Sequence, residues 1–165
     1  MDFQAFRDAA AAKAKQLGIE KYELYYQTAQ STQVSAFQHD IKEFSDSISG
    51  GVCFRCIVNG KMGYASTEEL SAEQAERLVV HAAENAAAIE AEEQVFLTPG
   101  GEQYETLTRP LCPLPQTDAL IRTVLDTQKK LYAADTRVVD GCETMGFSER
   151  TEIAISNSLG LDLHY

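Results

Sequence analysis

The stretch that most constrains the fold lies at residues 49–67, SGGVCFRCIVNGKMGYAST. Residues 52–58 are rich in apolar, β-favouring side chains, and the Asn59-Gly60 dipeptide that follows suits the positive φ angles of a type I′ turn. Residues 61–66 lead back, so the segment predicts a β-hairpin. A strand with apolar residues on both faces is typical of a central strand, covered by helices on one side and by a partner or further domain on the other. Alternation places the side chains of this strand in two sets: Val52, Phe54, Cys56 and Val58 on one face, and Cys53, Arg55 and Ile57 on the other.

The net charge and the cysteine content exclude some classes of protein. The 165 residues suit one domain with a sizeable core, and a net charge of -11 leaves no basic stripe for direct nucleic-acid binding. Four irregularly spaced cysteines do not form a disulfide framework and indicate a reducing compartment. No signal peptide or membrane span is evident. We therefore expect a cytoplasmic protein without a membrane partner.

The segments before the hairpin predict a helix and then strands. Asp2 can cap a helix that Gly18 ends, and from Tyr22 onward β-favouring residues prevail as far as residue 49. Polar dipeptides at Gln30-Ser31 and His39-Asp40 offer places to reverse, so we predict two or three antiparallel strands here. With the hairpin they give a meander of four or five strands.

The segments after the hairpin predict two helices, a loop and further strands. Ser71 and Gln74 form a capping-box pair that begins the second helix, which the acidic run at residues 90–93 ends. Prolines and glycines at residues 98–115 predict a long loop, and a third helix follows at residues 117–133. The β-like stretches at residues 137–147 and 151–156 repeat a helix-strand-strand order, with residues 17–37 and 131–155 as possible copies. The predicted fold is α+β, a mostly antiparallel sheet with helices packed on it.

The cysteines, the histidines and Ser158 could in principle act in catalysis or metal binding, but their sequence context favours structural roles. Cys53 and Cys56 are three apart in a strand and so point to opposite faces, which suits packing rather than zinc or redox chemistry. Ser158 lacks the glycines of a nucleophile elbow, and Gly50-Gly51 precedes a strand rather than a phosphate-binding helix. The histidines lack a partner at metal-ligand spacing: His39, His81 and His164. We predict no catalytic, cofactor-binding or metal-binding residue in this chain.

The ordered motifs resemble the amino-terminal domain of the TldD/PmbA family. The resemblance begins with ELYY and continues through QVSAFQHDIKEFSDSISGG, the hairpin and an alanine-rich helix, and the later IAISNSLGLDL resembles the family's N-S-x-G segment. The motif elements are Gly51, Arg55, Asn59-Gly60, residues 63–67 and the helix from Ser71. STEELS and SNSLGLDL are slightly closer to the PmbA (TldE) type. We therefore expect residues 1–165 to be a single amino-terminal domain of a longer protein, without its carboxy-terminal domain.

The resemblance implies a subunit of a cytoplasmic metallopeptidase system that acts in proteolysis and peptide maturation, with links to the modulation of DNA gyrase. Any zinc would belong to the carboxy-terminal domain, so we expect no cofactor in this chain. The implied role is a non-catalytic domain that helps to form a peptide cavity and a homo- or heterodimer with a TldD/PmbA-type subunit. The substrate would be a peptide or unfolded polypeptide.

Two alternatives stay open. One is an acidic protein-binding module, for example a gyrase modulator, with no role in proteolysis. The other is a small cysteine-dependent enzyme that uses Cys112 or Cys142.

Overall fold

The computed structural model describes residues 1–90, 94–101, 104, 112–139 and 141–165. Within them the sheet has the strand order β3-β2-β1-β4-β5, and the pairs β2–β3 and β4–β5 are antiparallel. The fold is α+β, as predicted. Its elements in chain order are α1 (Phe3–Gln16), β1 (Lys21–Phe37), β2 (Asp40–Val58), β3 (Lys61–Thr67), α2 (Ala72–Ala88), α3 (Thr117–Ala134), β4 (Thr144–Asn157) and β5 (Asp162–His164).

The chain divides into two compact units. Unit 1 comprises Met1–Thr28, Gly50–Thr108 and Glu152–Tyr165, and unit 2 comprises Ala29–Ser49 and Arg109–Thr151. Strands β1, β2 and β4 each contribute residues to both units, because each is 14 or more residues long. The single domain predicted from the sequence therefore contains two centres of packing. None of the described helices is both long and apolar enough to cross a membrane.

Unit 1 has an apolar core between its part of the sheet and the helices α1 and α2. Phe6 of α1, Phe54 of β2 and Val79 of α2 are fully buried in it. Helix α2 lies so close to β3 that a Cβ atom on Gly63 would collide with the backbone of Ala82 and Ala86. Burial of these side chains from water is the main contribution to the stability of the unit.

Unit 2 has a smaller apolar cluster and a buried amide. Val34 and Ala36 of β1 pack against Val124 of α3. Beside them the side chain of Gln128, fully buried, donates to the carbonyl oxygens of Ala36 at 2.7 Å and Cys142 at 3.1 Å. Its Oε1 accepts the backbone N–H of His39 at 2.8 Å. Because every polar atom of this amide is paired, its burial costs little.

Several elements agree with the sequence prediction. Asp2 caps α1 by accepting from the Ala5 N–H at 2.8 Å, and Ser71 caps α2 through the Gln74 N–H at 3.2 Å. Asn59 and Gly60 have φ angles of 51° and 76°, as a type I′ turn requires. Residues 52–58 pair with residues 61–67 in the predicted hairpin. Helix α3 at Thr117–Ala134 is also confirmed.

The division of the chain into strands was partly wrong. The predicted reversal at Gln30-Ser31 does not occur, since β1 runs unbroken from Lys21 to Phe37. The reversal predicted at His39-Asp40 lies at Gln38 and His39, which have φ angles of 51° and 69°. Residues 22–49 therefore contain one strand and the first half of β2. Polar residues at Gln30-Ser31 do not end the strand because they occupy exposed and half-exposed positions along it.

The carboxy-terminal stretches also differ from prediction. The two β-like stretches predicted at residues 137–147 and 151–156 form one strand, β4, which begins at Thr144. The short strand β5 was not predicted. The order helix, strand, strand does occur twice, but each proposed copy holds one long strand rather than two. Residues 102–103 and 105–111 of the predicted loop and residues 91–93 of the acidic run lie outside the described residues; the described parts of residues 98–115 contain no helix or strand.

Candidate binding face around Arg55

The face of the unit 1 sheet opposite α1 and α2 carries a charged pair at its centre. On β1, Leu24 points into the helix-covered core, so its neighbours Glu23 and Tyr25 point to the opposite face. On β2, Phe54 and Cys56 are buried in the core, which places Arg55 on the opposite face. We call this surface the Arg55 face; it is formed by Glu23, Tyr25, Cys53, Arg55, Ile57, Met62, Tyr64 and Ser66.

Glu23 is a buried carboxylate held by two donors. Its side chain is only 4% exposed, and its Oε1 lies 2.5 Å from Nη2 of Arg55. Its Oε2 accepts from Nδ2 of Asn157 at 3.1 Å. A buried carboxylate without partners would be very costly, so these two donors compensate for the removal of the Glu23 side chain from water.

Asn157 joins this pair to the turn before β5. Its Nδ2 also donates to the carbonyl oxygen of Thr98 at 2.7 Å, and its Oδ1 accepts the N–H groups of Leu159 at 2.9 Å and Leu161 at 3.1 Å. Both sides of the amide are therefore occupied. One side chain fixes the turn, the loop at Thr98 and the carboxylate of Glu23 together, which makes the base of the Arg55 face rigid.

Arg55 keeps part of its side chain in solvent. The side chain is 41% exposed, although its Nε is buried and has no hydrogen-bond partner among the described residues. Tyr64 lies directly opposite on β3 and is 66% exposed. A guanidinium held in place by a buried carboxylate, beside an exposed phenol, can bind carbonyl or carboxylate oxygens of a polypeptide.

The thiols near this face are poor nucleophiles. Burial is the main cause that raises the pKa of Cys53, with Glu23 acting in the same direction and Arg55 opposing it. Burial raises the pKa of Cys56 to about 11. Because the thiolate is the reactive form of cysteine, both groups are mostly inert protonated thiols near neutral pH. They lie on opposite sides of β2, Cys56 in the core and Cys53 on the Arg55 face.

The other residues weighed in the sequence have structural surroundings. The Ser158 hydroxyl accepts the backbone N–H of Tyr22 at 3.1 Å. His39 packs on the ring of Tyr132 with 4.7 Å between ring centroids, His81 is exposed on α2, and Nε2 of His164 lies 3.1 Å from Asp162. In the part of the chain that is described, no three histidine, cysteine or acidic side chains lie together in a metal-binding group. The absence of site residues from the whole chain stays a prediction.

A cavity of about 360 Å³ lies on the helix side of unit 1. Arg7 of α1 crosses it to Asp162 of β5, with Nη1 and Oδ2 3.1 Å apart. Tyr22 also lines it, and burial raises the pKa of this phenol. The charge of Arg7 is thus paired within the protein, and this ion pair joins α1 to β5.

Sequence reasoning named Arg55 and Asn157 only as parts of motifs and missed their connection through Glu23. The available signal was a pair of opposite charges, Glu23 and Arg55, in two otherwise apolar strand segments. Charges in buried strands are rarely left unpaired, so this pattern could have indicated an ion pair. The register between β1 and β2 was needed to show that the two side chains meet.

Comparison with known proteins agrees with this architecture. Residues 22–88 match the family model of PmbA/TldA metallopeptidase domain 1. No curated protein matches the chain in sequence. The matched segment includes both Glu23 and Arg55.

Three solved structures share the fold. A proposed modulator of a DNA gyrase from Thermotoga maritima aligns with a TM-score of 0.79 at 22% identity, over 99% of this chain and 37% of its own. TldE from Thermococcus kodakarensis gives 0.77 at 19% identity, over 94% and 36%. A proposed modulator of DNA gyrase from Bacteroides thetaiotaomicron gives 0.77 at 15% identity, over 98% and 38%. The chain thus spans a little over a third of the length of each of these structures.

Proposed function

We propose that this chain is the non-catalytic amino-terminal domain of a cytoplasmic metallopeptidase subunit of the TldD/PmbA family. The match of residues 22–88 to the family model and the fold shared with the solved structures support this proposal. In this proposal the Arg55 face lines a cavity that receives peptides or unfolded polypeptides, and the domain supports a homo- or heterodimer with a TldD/PmbA-type subunit. The reaction is proteolysis or peptide maturation. The segments STEELS and SNSLGLDL favour the PmbA (TldE) branch.

The family implies zinc, but the described residues do not fit a zinc site. Zinc in proteins takes four ligands, most often from histidine and cysteine. The described histidines contact an aromatic ring, a carboxylate or solvent, and Cys53 and Cys56 point to opposite faces of a strand. No step of a reaction is therefore assigned to zinc within this domain.

The observation that carries the proposal is the Glu23–Arg55–Asn157 network. A buried, fully paired carboxylate fixes an arginine whose outer part remains 41% exposed beside an exposed tyrosine. A polypeptide presents a carbonyl oxygen at every residue and a carboxylate at its end. A fixed guanidinium can hold these groups with little loss of side-chain entropy on binding, because the entropy has already been lost on folding.

The first experiment measures peptide hydrolysis by the complete zinc-loaded protein and its Glu23→Gln/Arg55→Met double variant, because Arg55→Met alone would leave the buried Glu23 carboxylate without its cation. We expect KM to rise about tenfold with kcat nearly unchanged, because one charge-assisted hydrogen bond to substrate is lost. Lys129→Met, which removes an exposed cation from α3, is the matched control and should leave both constants unchanged. A loss in kcat with KM unchanged would contradict a binding role for Arg55.

A second experiment tests the non-catalytic assignment. Residues 1–165 alone should neither retain zinc after dialysis nor hydrolyse peptides with added zinc. Zinc-dependent hydrolysis by this segment would show that the catalytic residues lie within it. Zinc content measured by atomic absorption separates a failure to bind metal from a failure of substrate binding.

The alternative is an acidic protein-binding module that modulates DNA gyrase. The descriptions of the structures from Thermotoga maritima and Bacteroides thetaiotaomicron favour it, since both are named as proposed gyrase modulators. It predicts that the protein binds a gyrase subunit in the presence of a zinc chelator and that no peptide is cleaved. Peptide cleavage that the chelator abolishes would favour the peptidase.

A further inference from the structure

The first half of β2 has a free edge in unit 2. Its inner edge lies along β1, where Thr32 donates to Asp46 at 3.1 Å and the hydroxyls of Ser31 and Ser47 are 3.0 Å apart. Its other edge gains a strand only beyond residue 51, because β3 pairs with residues 52–58. Every residue from 42 to 50 is exposed. Among the described residues, no strand pairs with this edge at residues 42–48, which we call the β2 edge.

The β2 edge lacks the usual protection against pairing with another strand. Edge strands are normally short, interrupted by proline, or guarded by a lysine that points outward. This one has seven residues without proline, and the amine of Lys42 is directed over the sheet to Glu143 at 2.9 Å. Phe44 and Ile48 are 51% and 76% exposed. The edge therefore combines available backbone groups with apolar side chains, which favours addition of a strand.

The negative charge of the β2 edge indicates which kind of strand could pair with it. Glu43 and Asp46 lie on the β2 edge, and the one cation, Lys42, is already paired with Glu143. The whole chain has a net charge of -11. A second copy would bring the same two acids and the same net charge to the interface, and like charges on paired strands repel. A basic strand is attracted both by the acids of the β2 edge and by the net negative charge of the chain.

We propose that the β2 edge binds an extended, basic polypeptide segment as an additional β-strand. Backbone hydrogen bonds to residues 42–48 supply affinity, Phe44 and Ile48 contact apolar side chains of the segment, and Glu43 on the opposite face selects lysine or arginine. This interaction needs neither zinc nor hydrolysis, so it can be tested independently of the proposed peptidase role.

The test is fluorescence anisotropy of the complete protein with a labelled peptide of alternating lysine and valine. A peptide of alternating glutamate and valine should bind at least about tenfold more weakly, because its charges oppose the edge. N-methylation of alternate amides removes the hydrogen bonds along one edge of the peptide. We expect methylation in one register to abolish binding and methylation in the other register to leave it intact.

Protein variants locate the site. Glu43→Lys and Ile48→Ser should each weaken binding of the lysine-valine peptide about fivefold, as expected for one cross-strand pair. Phe147→Ser, which alters a side chain 75% exposed on β4, is the matched control and should have no effect. Both substituted edge residues are exposed, so the variants should fold.

Four results of the binding measurements would overturn the proposal. They are no binding of the lysine-valine peptide, equal binding of the glutamate-valine peptide, equal binding of both N-methylated peptides, and an equal loss in Phe147→Ser. A concentration-dependent dimer in sedimentation that Ile48→Ser abolishes would also overturn it, because the occupant would then be a second copy of the chain.

Discussion

Units 1 and 2 bury their side chains in different ways. In unit 1 a large apolar core, with Phe6 and Phe54 fully buried, lies between two helices and one face of the sheet. In unit 2 one helix covers a small cluster around Val34, and the fully buried Gln128 supplies hydrogen bonds next to it. Both units leave large apolar side chains exposed, and those of unit 2 include Phe44, Ile48, Val139, Met145 and Phe147.

The difference indicates how each unit obtains its stability. The stability of unit 1 comes mainly from its extensive apolar core, so a smaller core side chain should destabilise it. The stability of unit 2 depends more on specific hydrogen bonds. Exposed apolar side chains on a folded unit mark surfaces that bind other molecules. Unit 1 therefore provides a stable apolar frame for the Arg55 face, and unit 2 carries the β2 edge.

The largest expected effect is on the apolar core of unit 1. Phe54→Ala should lower the free energy of unfolding by about 3–5 kcal/mol, because it removes a fully buried ring and leaves a cavity. Phe147→Ala is the control and should change it by less than about 0.5 kcal/mol, since that ring is 75% exposed. Urea denaturation measures both. If both variants lowered the free energy of unfolding equally, the burial of Phe54 would not account for the stability of unit 1.

The next effect concerns the buried amide of unit 2. Gln128→Leu should cost about 2–3 kcal/mol, because the His39 N–H and the carbonyl oxygens of Ala36 and Cys142 lose their partner. Native-state hydrogen exchange should show faster exchange at His39. Thr127→Ala, one position away and exposed, should be nearly neutral. A neutral Gln128→Leu would mean that unit 2 depends on apolar burial just as unit 1 does.

The smallest effect is the pH dependence of the Lys42–Glu143 pair in unit 2. The hydrogen bond from Lys42 is the main cause that lowers the pKa of Glu143, and the same hydrogen bond raises the pKa of Lys42. Stabilisation from Glu143 is thus complete above its ordinary pKa and is lost as the pH falls through its lowered value. Stabilisation from Lys42 is present below its ordinary pKa and is lost as the pH rises through its raised value.

Glu143→Gln tests this pH dependence by urea denaturation. The variant should be slightly less stable than the parent at neutral pH and equally stable in strong acid. Glu152→Gln, at another exposed acid, should show no difference at either pH. A difference that grew in acid would have the wrong sign for a carboxylate with a lowered pKa.

The sequence predicted the elements whose signals are local. The turn at Asn59-Gly60 and the caps Asp2 and Ser71 each depend on residues within a few positions of one another. The reversal at Gln30-Ser31 was wrong because strand β1 is held by pairing with distant segments, which outweighs the turn tendency of a polar dipeptide. Strand β5 was missed because its three residues gain their structure from pairing with β4.

The candidate site was harder to predict than the fold. Glu23, Arg55 and Asn157 are separated by 32 and 102 positions, and only the register of the sheet brings them together. The same holds for Gln128, which looks like an ordinary polar residue on a helix until β1 is placed beside it. Properties that depend on contacts between distant segments require the structure.

Photo-cross-linking tests the central claim, that the Arg55 face lines the peptide cavity, most directly. Benzoylphenylalanine is placed at Tyr64, an exposed position opposite Arg55, and separately at His81, an exposed position on α2. Each complete protein is irradiated with a labelled peptide substrate. We expect a cross-link from position 64 that excess unlabelled peptide suppresses, and none from position 81. A cross-link from position 81 alone, or equally from both positions, would contradict it.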